Sequence, residues 1–279
     1  MSAATATAPR RIAGLSPATA AIGGVLVALT ILYAYLNTRM YAETLSDGAY
    51  TASYVFGTLL HSLFAIVIIS SAVKMGVRQR VGMEWLLIGL GVVMYGIGDL
   101  VWMRLELILQ VDPYPSLADV FYTLEYPLFF VALVMAVRSH RGLAPLKLPT
   151  IIGGAVGLAA LAAIYATVLG PYILPAGTAE LGFWGLVVSV LYPIGDVFFM
   201  LAPAVTLALV ITRLGAGRLA RPWWIVVVGA FVFAVADTVY SYADWSGLGT
   251  TTFTDMGWLT ANLLFALAAL AARDVFRTA

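Results

Sequence analysis

The chain alternates between long apolar runs and short polar connections. Eight runs are long enough to cross a bilayer core of about 30 Å, which a helix of about 20 residues spans. They cover 18–36, 52–73, 85–104, 117–137, 149–169, 183–211, 223–242 and 256–272. The connections carry helix breakers such as Asp112-Pro113, Gly170-Pro171 and Ser246-Gly247. The pattern predicts an all-α polytopic membrane protein with eight transmembrane helices.

Composition supports the membrane class and excludes several others. Of 279 residues, 62% are hydrophobic and only 10% are charged, whereas soluble domains carry about 25% charged residues. The absence of cysteine excludes disulfides, thiolate metal centres and cysteine nucleophiles. His61 and His140 are the two histidines, too few for a histidine-rich metal site. With no catalytic or nucleotide-binding motif in the chain, we expect a non-enzymatic protein without cofactor, metal or nucleic-acid partner.

Positive charges alternate with the predicted helices. Thirteen of the 15 lysines and arginines fall on one side of the predicted topology. They are Arg10, Arg11, Lys74, Arg78, Arg80, Arg138, Arg141, Lys147, Arg213, Arg218, Arg221, Arg273 and Arg277. Cytoplasmic loops are the ones enriched in lysine and arginine. We therefore expect a protein of the bacterial inner membrane with cytoplasmic termini, a flexible segment 1–17 and a first helix that is retained rather than cleaved.

Two pairs of segments suggest an internal repeat. YGIGDLVW at 95–102 matches FAVADTVY at 233–240, an offset of 138 residues, and SLADVFY at 116–122 matches TFTDMGW at 252–258, an offset of 136. Four helices separate the matched elements, so both halves enter the membrane from the same side. The sequence predicts a parallel 4+4 duplication, with repeat 1 at 18–143 and repeat 2 at 144–279.

Carboxylates inside apolar runs need a structural or functional reason, since an ionised aspartate at a helix centre costs about 2.5–3.5 kcal/mol to insert. Ser116-x-x-Asp119 and Thr252-x-x-Asp255 match capping boxes at helix starts. Asp99, Glu125, Asp196 and Asp237 lie deep in their runs. The predicted topology places Asp99, Glu125 and Asp237 in the outer halves of their helices and Asp196 near the middle of its helix. It predicts no acid in the inner half of the bundle.

Aromatic and polar residues accompany the deep acids at helical spacing. The candidate ligand-binding residues are His61, Asp99, Trp102, Glu125, Tyr126, Tyr192, Asp196, Asp237 and Tyr240. Together they would line an acidic, aromatic cavity that is open to the outside. The alternative is that hydrogen bonds among these residues simply hold the helices together.

The same residues resemble a known family. Gly98-Asp99-x-x-Trp102, then PYPSLADVFY at 113–122 and Tyr126-Pro127-Leu128, are similar to the membrane-embedded N-terminal region of bacterial diguanylate cyclases and phosphodiesterases of the GGDEF/EAL type. Leu191–Asp196 and Ala236-Asp237-x-x-Tyr240 resemble the second half of that region. The resemblance implies a sensory input domain ahead of a cytoplasmic output module, whereas this sequence stops at Ala279. We therefore expect a stand-alone relative or an excised input domain.

The expected function is to sense a small molecule or the membrane state. The expected partners are the lipid bilayer, a small ligand, and a cytoplasmic signalling module or a second copy of the chain. The acids favour a ligand that is cationic or rich in hydroxyls, or protonation itself. Two alternatives remain open, a small-solute or proton-coupled transporter and a non-catalytic membrane scaffold or subunit.

Overall fold

The computed structural model describes residues 15–215, 217–249 and 252–276, and its regular elements are helices. Within these residues, seven helical segments are long and apolar enough to cross a membrane. The predicted all-helical fold is therefore confirmed, and the apolar segments agree with a multi-pass membrane protein. Arg10, Arg11, Arg277 and all but the last three residues of segment 1–17 lie outside the described residues.

Nine α-helices follow one another along the chain. They are α1 Pro17–Tyr41, α2 Asp47–Met75, α3 Arg80–Met103, α4 Leu117–Ser139, α5 Lys147–Ile164, α6 Leu174–Ile194, α7 Ala202–Ile211, α8 Arg221–Trp245 and α9 Thr252–Phe276, counted over the described part of the chain. Wider π-helical turns at Arg104–Leu109, Tyr165–Ile173 and Gly195–Leu201 prolong α3, α5 and α6. Most helices extend several residues beyond the predicted apolar runs, because their polar ends are themselves helical.

The fifth and sixth predicted helices belong to one helical segment, Lys147–Leu214, of 68 residues. The predicted break at Gly170-Pro171 is wrong, since a π-helical turn carries the chain past Pro171. The regular geometry is lost instead at Gly177 (φ 54°) and Gly182 (φ 66°), which adopt the left-handed backbone that glycine tolerates. Beyond this break the chain returns, and α7 packs against α5.

Six helices form a closed ring around the core. In order they are α2, α3, α4, α7, α8 and α9, each packed against the next, with α9 packed against α2. Helix α1 lies outside this ring against α2 and α9, and α5 lies outside it against α7.

Residues at matching positions of the two halves meet in the core. Trp85 stacks on Trp223 with ring centroids 5.1 Å apart, Tyr95 meets Phe233 at 5.7 Å, and Phe129 meets Phe265 at 4.8 Å. The members of each pair are 138 or 136 residues apart, the offsets of the matched sequence segments. Equivalent residues that touch one another are the arrangement expected next to a two-fold axis.

One end of the bundle is held together by polar contacts between chain segments distant in sequence. Asp274 at the end of α9 accepts hydrogen bonds from the Ser16 amide (2.5 Å) and the Thr19 hydroxyl (2.7 Å), and Arg273 donates to Thr19. We call these four residues the α1–α9 clasp. They join the start of the first helix to the end of the last.

Glu84 lies near the end of the bundle that holds the α1–α9 clasp, where the sequence predicted no acid. This carboxyl is fully buried at the start of α3, where it accepts a hydrogen bond from Ser139 and lies 3.8 Å from the Arg80 guanidinium. The expectation of no acid in this half of the bundle is therefore wrong. The sequence analysis missed Glu84 because it precedes the apolar run 85–104 by a single residue.

The packing of α5 on α7 can be tested at two adjacent glycines. A Cβ at Gly153 would lie 2.2 Å from the Thr206 hydroxyl and 2.6 Å from the Ala202 carbonyl oxygen, whereas a Cβ at Gly154 would meet nothing within 4 Å. We expect Gly153→Ala to lower the free energy of unfolding by about 1–3 kcal/mol. Gly154→Ala should leave it unchanged or raise it slightly, because alanine favours helix. Thermal unfolding in detergent compares the two variants, and equal midpoints would contradict the packing.

Candidate functional site

A cavity of about 770 Å³ occupies the end of the bundle opposite the α1–α9 clasp. Its mouth is formed by residues next to the α1–α2, α3–α4 and α8–α9 connections and by the chain near Gly182, including Tyr41, Asp112, Glu180 and Trp245. Its floor reaches Glu125, Phe233 and Leu259 inside the ring. The cavity therefore extends from the loops at that end into the core.

Asp99 projects from α3 into this cavity and is held by two neighbouring helices. Its Oδ1 accepts a hydrogen bond from the Tyr122 hydroxyl of α4 at 2.8 Å, and its Oδ2 lies 2.5 Å from His61 Nδ1 on α2. Gly98 leaves space for the Tyr122 ring, since a Cβ at this position would lie 2.5 Å from a ring carbon. One half-buried carboxyl thereby connects three helices.

Asp237 on α8 has an equivalent environment. Its Oδ1 accepts from the Trp258 indole of α9 at 2.6 Å, and its Oδ2 accepts from the Tyr126 hydroxyl at 3.2 Å. Trp258 stands 136 residues after Tyr122, so matching residues of the two halves satisfy matching aspartates. A further group lies beside each aspartate, His61 of α2 beside Asp99 and Asp196 of the turn before α7 beside Asp237.

Asp196 is the one candidate ligand-binding residue that does not line the cavity. It lies in the π-helical turn Gly195–Leu201, where its Oδ1 is 3.0 Å from the same Tyr126 hydroxyl that contacts Asp237. A phenol has one proton and can fully satisfy one carboxylate at a time. Tyr126 therefore links the carboxyls of α8 and of the turn before α7 through a shared hydrogen bond, directly behind the cavity floor.

Glu125 is the least satisfied acid of the site. Its side chain is 1% exposed, it lines the floor, and its Oε1 has no hydrogen-bond partner among the described residues. Asp99 and Asp237 both lie within electrostatic range of this carboxyl. Burying a polar atom without a hydrogen bond costs free energy, and no described side chain offsets that cost with a hydrogen bond to Oε1.

The two predicted helix caps differ in the structure. Asp119 caps α4, because its Oδ2 accepts from the Ser116 amide at 2.7 Å while the Ser116 hydroxyl accepts from the Ala118 amide. Its Oδ1 also accepts from the Tyr192 hydroxyl of α6 at 2.6 Å, so the same residue joins two helices at the cavity wall. Asp119 therefore both caps α4 and links α4 to α6.

The predicted Thr252–Asp255 cap lies at the edge of the described residues. Thr252 is the first residue of α9, and residues 250–251 are not described. Asp255 accepts hydrogen bonds from the Asn37 amide (2.9 Å) and the Tyr41 hydroxyl (3.1 Å), both on α1. Its carboxyl thus connects α9 to α1 and faces the cavity as well.

The mouth holds a further acid that the sequence analysis did not select. Glu106, in the turn that prolongs α3, accepts from the Tyr54 hydroxyl (2.5 Å) and the Trp102 indole (2.9 Å). The Trp102 indole therefore donates its hydrogen bond to Glu106 and not to Asp99, the acid three residues earlier. Tyr240, the matching residue on α8, lines the same cavity and packs against Trp258. The spacing of four residues between Trp102 and Glu106 was a usable helical signal.

Tyr114 closes the wall between the α3–α4 connection and α6. Its hydroxyl lies 2.6 Å from the Ser189 hydroxyl and donates to the Gly185 carbonyl oxygen at 3.1 Å. Burial raises the pKa of the Tyr114 phenol, so this hydroxyl keeps its proton and remains a donor.

The lining is strongly acidic. Nine carboxyl side chains line the cavity, and among the described residues no lysine or arginine lines it. The nine are Asp99, Glu106, Asp112, Asp119, Glu125, Glu180, Asp237, Asp244 and Asp255. Tyrosine and tryptophan side chains make up much of the remaining wall. Such a lining attracts cations and offers aromatic faces for cation–π contacts.

The structure therefore brings together eight of the nine candidate ligand-binding residues, with Asp196 directly behind them. Within the described residues, no group of three histidine, aspartate or glutamate side chains has a geometry that could hold a metal ion. Comparison with known proteins gives no match to a family model, a curated protein or a solved structure.

The shared hydrogen bond of Tyr126 can be tested by removing its hydroxyl. We expect Tyr126→Phe to lower the free energy of unfolding by about 1–3 kcal/mol, because two buried carboxyls then lose their common partner. Tyr165→Phe, at a side chain that is 55% exposed, is the matched control. Thermal unfolding of both variants checks this, and an unchanged midpoint for Tyr126→Phe would show that its hydroxyl does not stabilise the carboxyl pair.

Proposed function

We propose that the chain is a membrane-embedded sensory input domain that binds a small ligand in this cavity from the extracytoplasmic side. The observation that carries the proposal is the cavity itself, with nine carboxyls, no lysine or arginine among its described lining residues, and a buried unpartnered oxygen on Glu125. Carboxyls that served only to hold helices together would be paired with donors and would leave no such space between them.

The proposed topology has eight crossings in two halves of four helices, 18–143 and 144–279. It is supported by the return of the chain after Gly182 and by the equivalent hydrogen bonds of Asp99 and Asp237. In this topology thirteen of the 15 lysines and arginines cluster at the end opposite the cavity mouth, and Arg39 and Arg104 lie at the mouth end. The positive-inside rule then places that end and both termini in the cytoplasm of a bacterial cell, with the mouth outside.

A route for the signal follows from α9. Trp258, near the start of this helix, donates to Asp237 at the cavity, and Asp274, near its end, belongs to the α1–α9 clasp. The 16 residues between them span about 24 Å of helix. A ligand that binds one packing of α9 more tightly than another would shift the position of the clasp.

The resemblance to the input region of GGDEF/EAL proteins suggests that this movement of α9 would regulate a cytoplasmic module. In such proteins a membrane region stands ahead of a cytoplasmic cyclase or phosphodiesterase module, and here the cytoplasmic end of α9 is where such a module would connect. A cytoplasmic signalling module, attached or separate, is therefore the proposed partner, and a second copy of the chain is the alternative. The domain itself is proposed to be non-enzymatic.

One observation favours a transporter as the second candidate. Glu84 is a buried carboxyl at the end opposite the cavity, and its Oε2 has no hydrogen-bond partner among the described residues. Buried acids at two depths are a feature of ion-coupled carriers. However, the stacked Trp85–Trp223 pair lies at the level of Glu84, and the Phe129–Phe265 pair, with ring centroids 4.8 Å apart, fills the core between Glu84 and the cavity floor. A sensor requires no passage through that layer, whereas a carrier does.

The sensor can be tested by measuring movement at the clasp end. The chain has no cysteine, so spin labels attached to Gly142→Cys and Phe276→Cys report the distance between the α4–α5 connection and the end of α9. Spermidine, trimethylenediamine and choline serve as probes in lipid nanodiscs. We expect at least one of them to shift the distance distribution by several ångströms. Glu125→Gln should abolish the shift, and Asp47→Asn, an exposed acid outside the cavity, should retain it.

Three results would count against the sensor. If a probe binds and the distance stays unchanged, the cavity is not coupled to the clasp. If a probe is taken up into proteoliposomes and Asp196→Asn abolishes this uptake, the carrier replaces the sensor. If the double variant Asp99→Asn, Asp237→Asn lowers the unfolding midpoint while the response to every probe stays the same, the acids serve only to stabilise the bundle.

A further inference from the structure

The floor of the cavity holds three carboxyl groups with no lysine or arginine beside them among the described lining residues. Asp99 and Asp237 flank Glu125. Asp99 accepts a hydrogen bond from Tyr122 and lies 2.5 Å from His61 Nδ1. Asp237 accepts hydrogen bonds from Trp258 and Tyr126. Glu125 lines the same floor and is 99% buried, and its Oε1 has no hydrogen-bond partner among the described residues. We call these three residues the floor acids. A cation placed among them would supply the missing partner of Glu125.

A second acidic level lies closer to the mouth. Glu106 follows Asp99 by seven residues and Asp244 follows Asp237 by seven residues, one pair in each half. On the continuous helix α8, seven residues are two turns, so Asp237 and Asp244 lie on one face with about 10 Å between them. Glu106 lies beyond Asp99 in the π-helical turn that prolongs α3 towards the mouth. Asp112 lies within electrostatic range of Asp244. We call Glu106, Asp112 and Asp244 the rim acids, and all three line the cavity.

The wall between the two levels suits an organic chain better than a hydrated metal ion. Tyr240 lies between Asp237 and Asp244 on α8, and Tyr122 and Trp258, the donors to Asp99 and Asp237, line the cavity as well. Aromatic faces attract ammonium groups and pack well against methylene groups. The described residues also hold no metal-binding cluster. A single small cation would supply a counter-charge to one acidic level and none to the other.

We propose that the cavity takes an elongated organic dication of the polyamine class, with one ammonium group among the floor acids and a second among the rim acids. This proposal rests on the proposed function, because it assumes that the cavity is the ligand site. It goes further in assigning the ligand two charges, a separation of about 10 Å between them and an orientation along the bundle.

A matched pair of amines tests the charge requirement. Octamethylenediamine and amino-octanol have the same chain length, and the second replaces one ammonium group by a neutral hydroxyl. Binding to the full chain in nanodiscs is measured by isothermal titration calorimetry. We expect the diamine to bind about tenfold more tightly than the amino alcohol, and trimethylenediamine to bind no better than the amino alcohol, because its second charge does not reach the rim.

Two variants separate the levels. In the double variant Glu106→Gln, Asp244→Asn, the diamine should lose its advantage and match the amino alcohol. In Glu125→Gln, both ligands should weaken together by about tenfold or more. The control is Glu43→Gln, Asp47→Asn, which removes two exposed charges at the same end outside the cavity and should change neither affinity. Thermal unfolding of each variant confirms that it is folded.

The outcomes distinguish this inference from the proposed function. Equal affinity for the diamine and the amino alcohol, with both lost in Glu125→Gln, would overturn the dication and leave a sensor of single cations. Equal weakening of both ligands in the rim variant would also overturn it. If none of the amines binds and none moves the spin labels, the dication and the ligand-binding cavity are both wrong.

Discussion

The structure depends on satisfying carboxyl groups inside an apolar helical bundle. Lipid and packed hydrophobic side chains offer no hydrogen bonds, so each buried acid must find a donor on a neighbouring helix. Asp99 finds Tyr122 on α4 and Asp237 finds Trp258 on α9. The same two bonds that make these acids tolerable therefore fix how α3 packs on α4 and α8 on α9. Small residues beside the aromatic rings make this approach sterically feasible, as Gly98 does for Tyr122.

The available donors satisfy the buried carboxyl groups only in part. Tyr126 divides one hydroxyl between Asp196 and Asp237, and Glu125 keeps an oxygen without a partner in the described structure. A protein selected only for stability would fill this space with apolar side chains, which often stabilise as well as buried charges do. The incomplete pairing, together with a cavity that extends to the loops, is the physical basis for the proposed ligand site.

The hydropathy pattern was sufficient for the class of fold but not for its details. Apolar runs predicted helices because lipid leaves the backbone few alternatives. They did not locate the break at Gly177 and Gly182, because a proline can pass through a π-helical turn and Gly170-Pro171 looked like the stronger breaker. Glu84 and Asp274 were missed because both lie just outside an apolar run, where a hydropathy pattern treats an acid as part of a polar connection.

The candidate site was predictable where helical spacing and internal repetition coincide. Asp99 and Asp237 stand out because the surrounding residues recur at a constant offset, and their hydrogen-bond partners recur with them. Trp102 was assigned to Asp99 by spacing alone, whereas its indole donates to Glu106. Asp255 matched a helix cap but bonds to α1. Contacts between distant segments, such as Tyr126 with Asp196, leave no trace in the spacing of a single sequence.

The most direct test of the account is the electrostatic potential inside the cavity. Thr58→Cys places a thiol in the cavity lining, and Gly142→Cys places one on an exposed connection at the other end. The rates at which a cationic and an anionic methanethiosulfonate reagent modify each thiol give a ratio for each position. An acidic cavity open to water predicts a cationic-to-anionic ratio at least about tenfold larger in Thr58→Cys than in Gly142→Cys. Equal ratios, or no reaction in Thr58→Cys, would contradict the account.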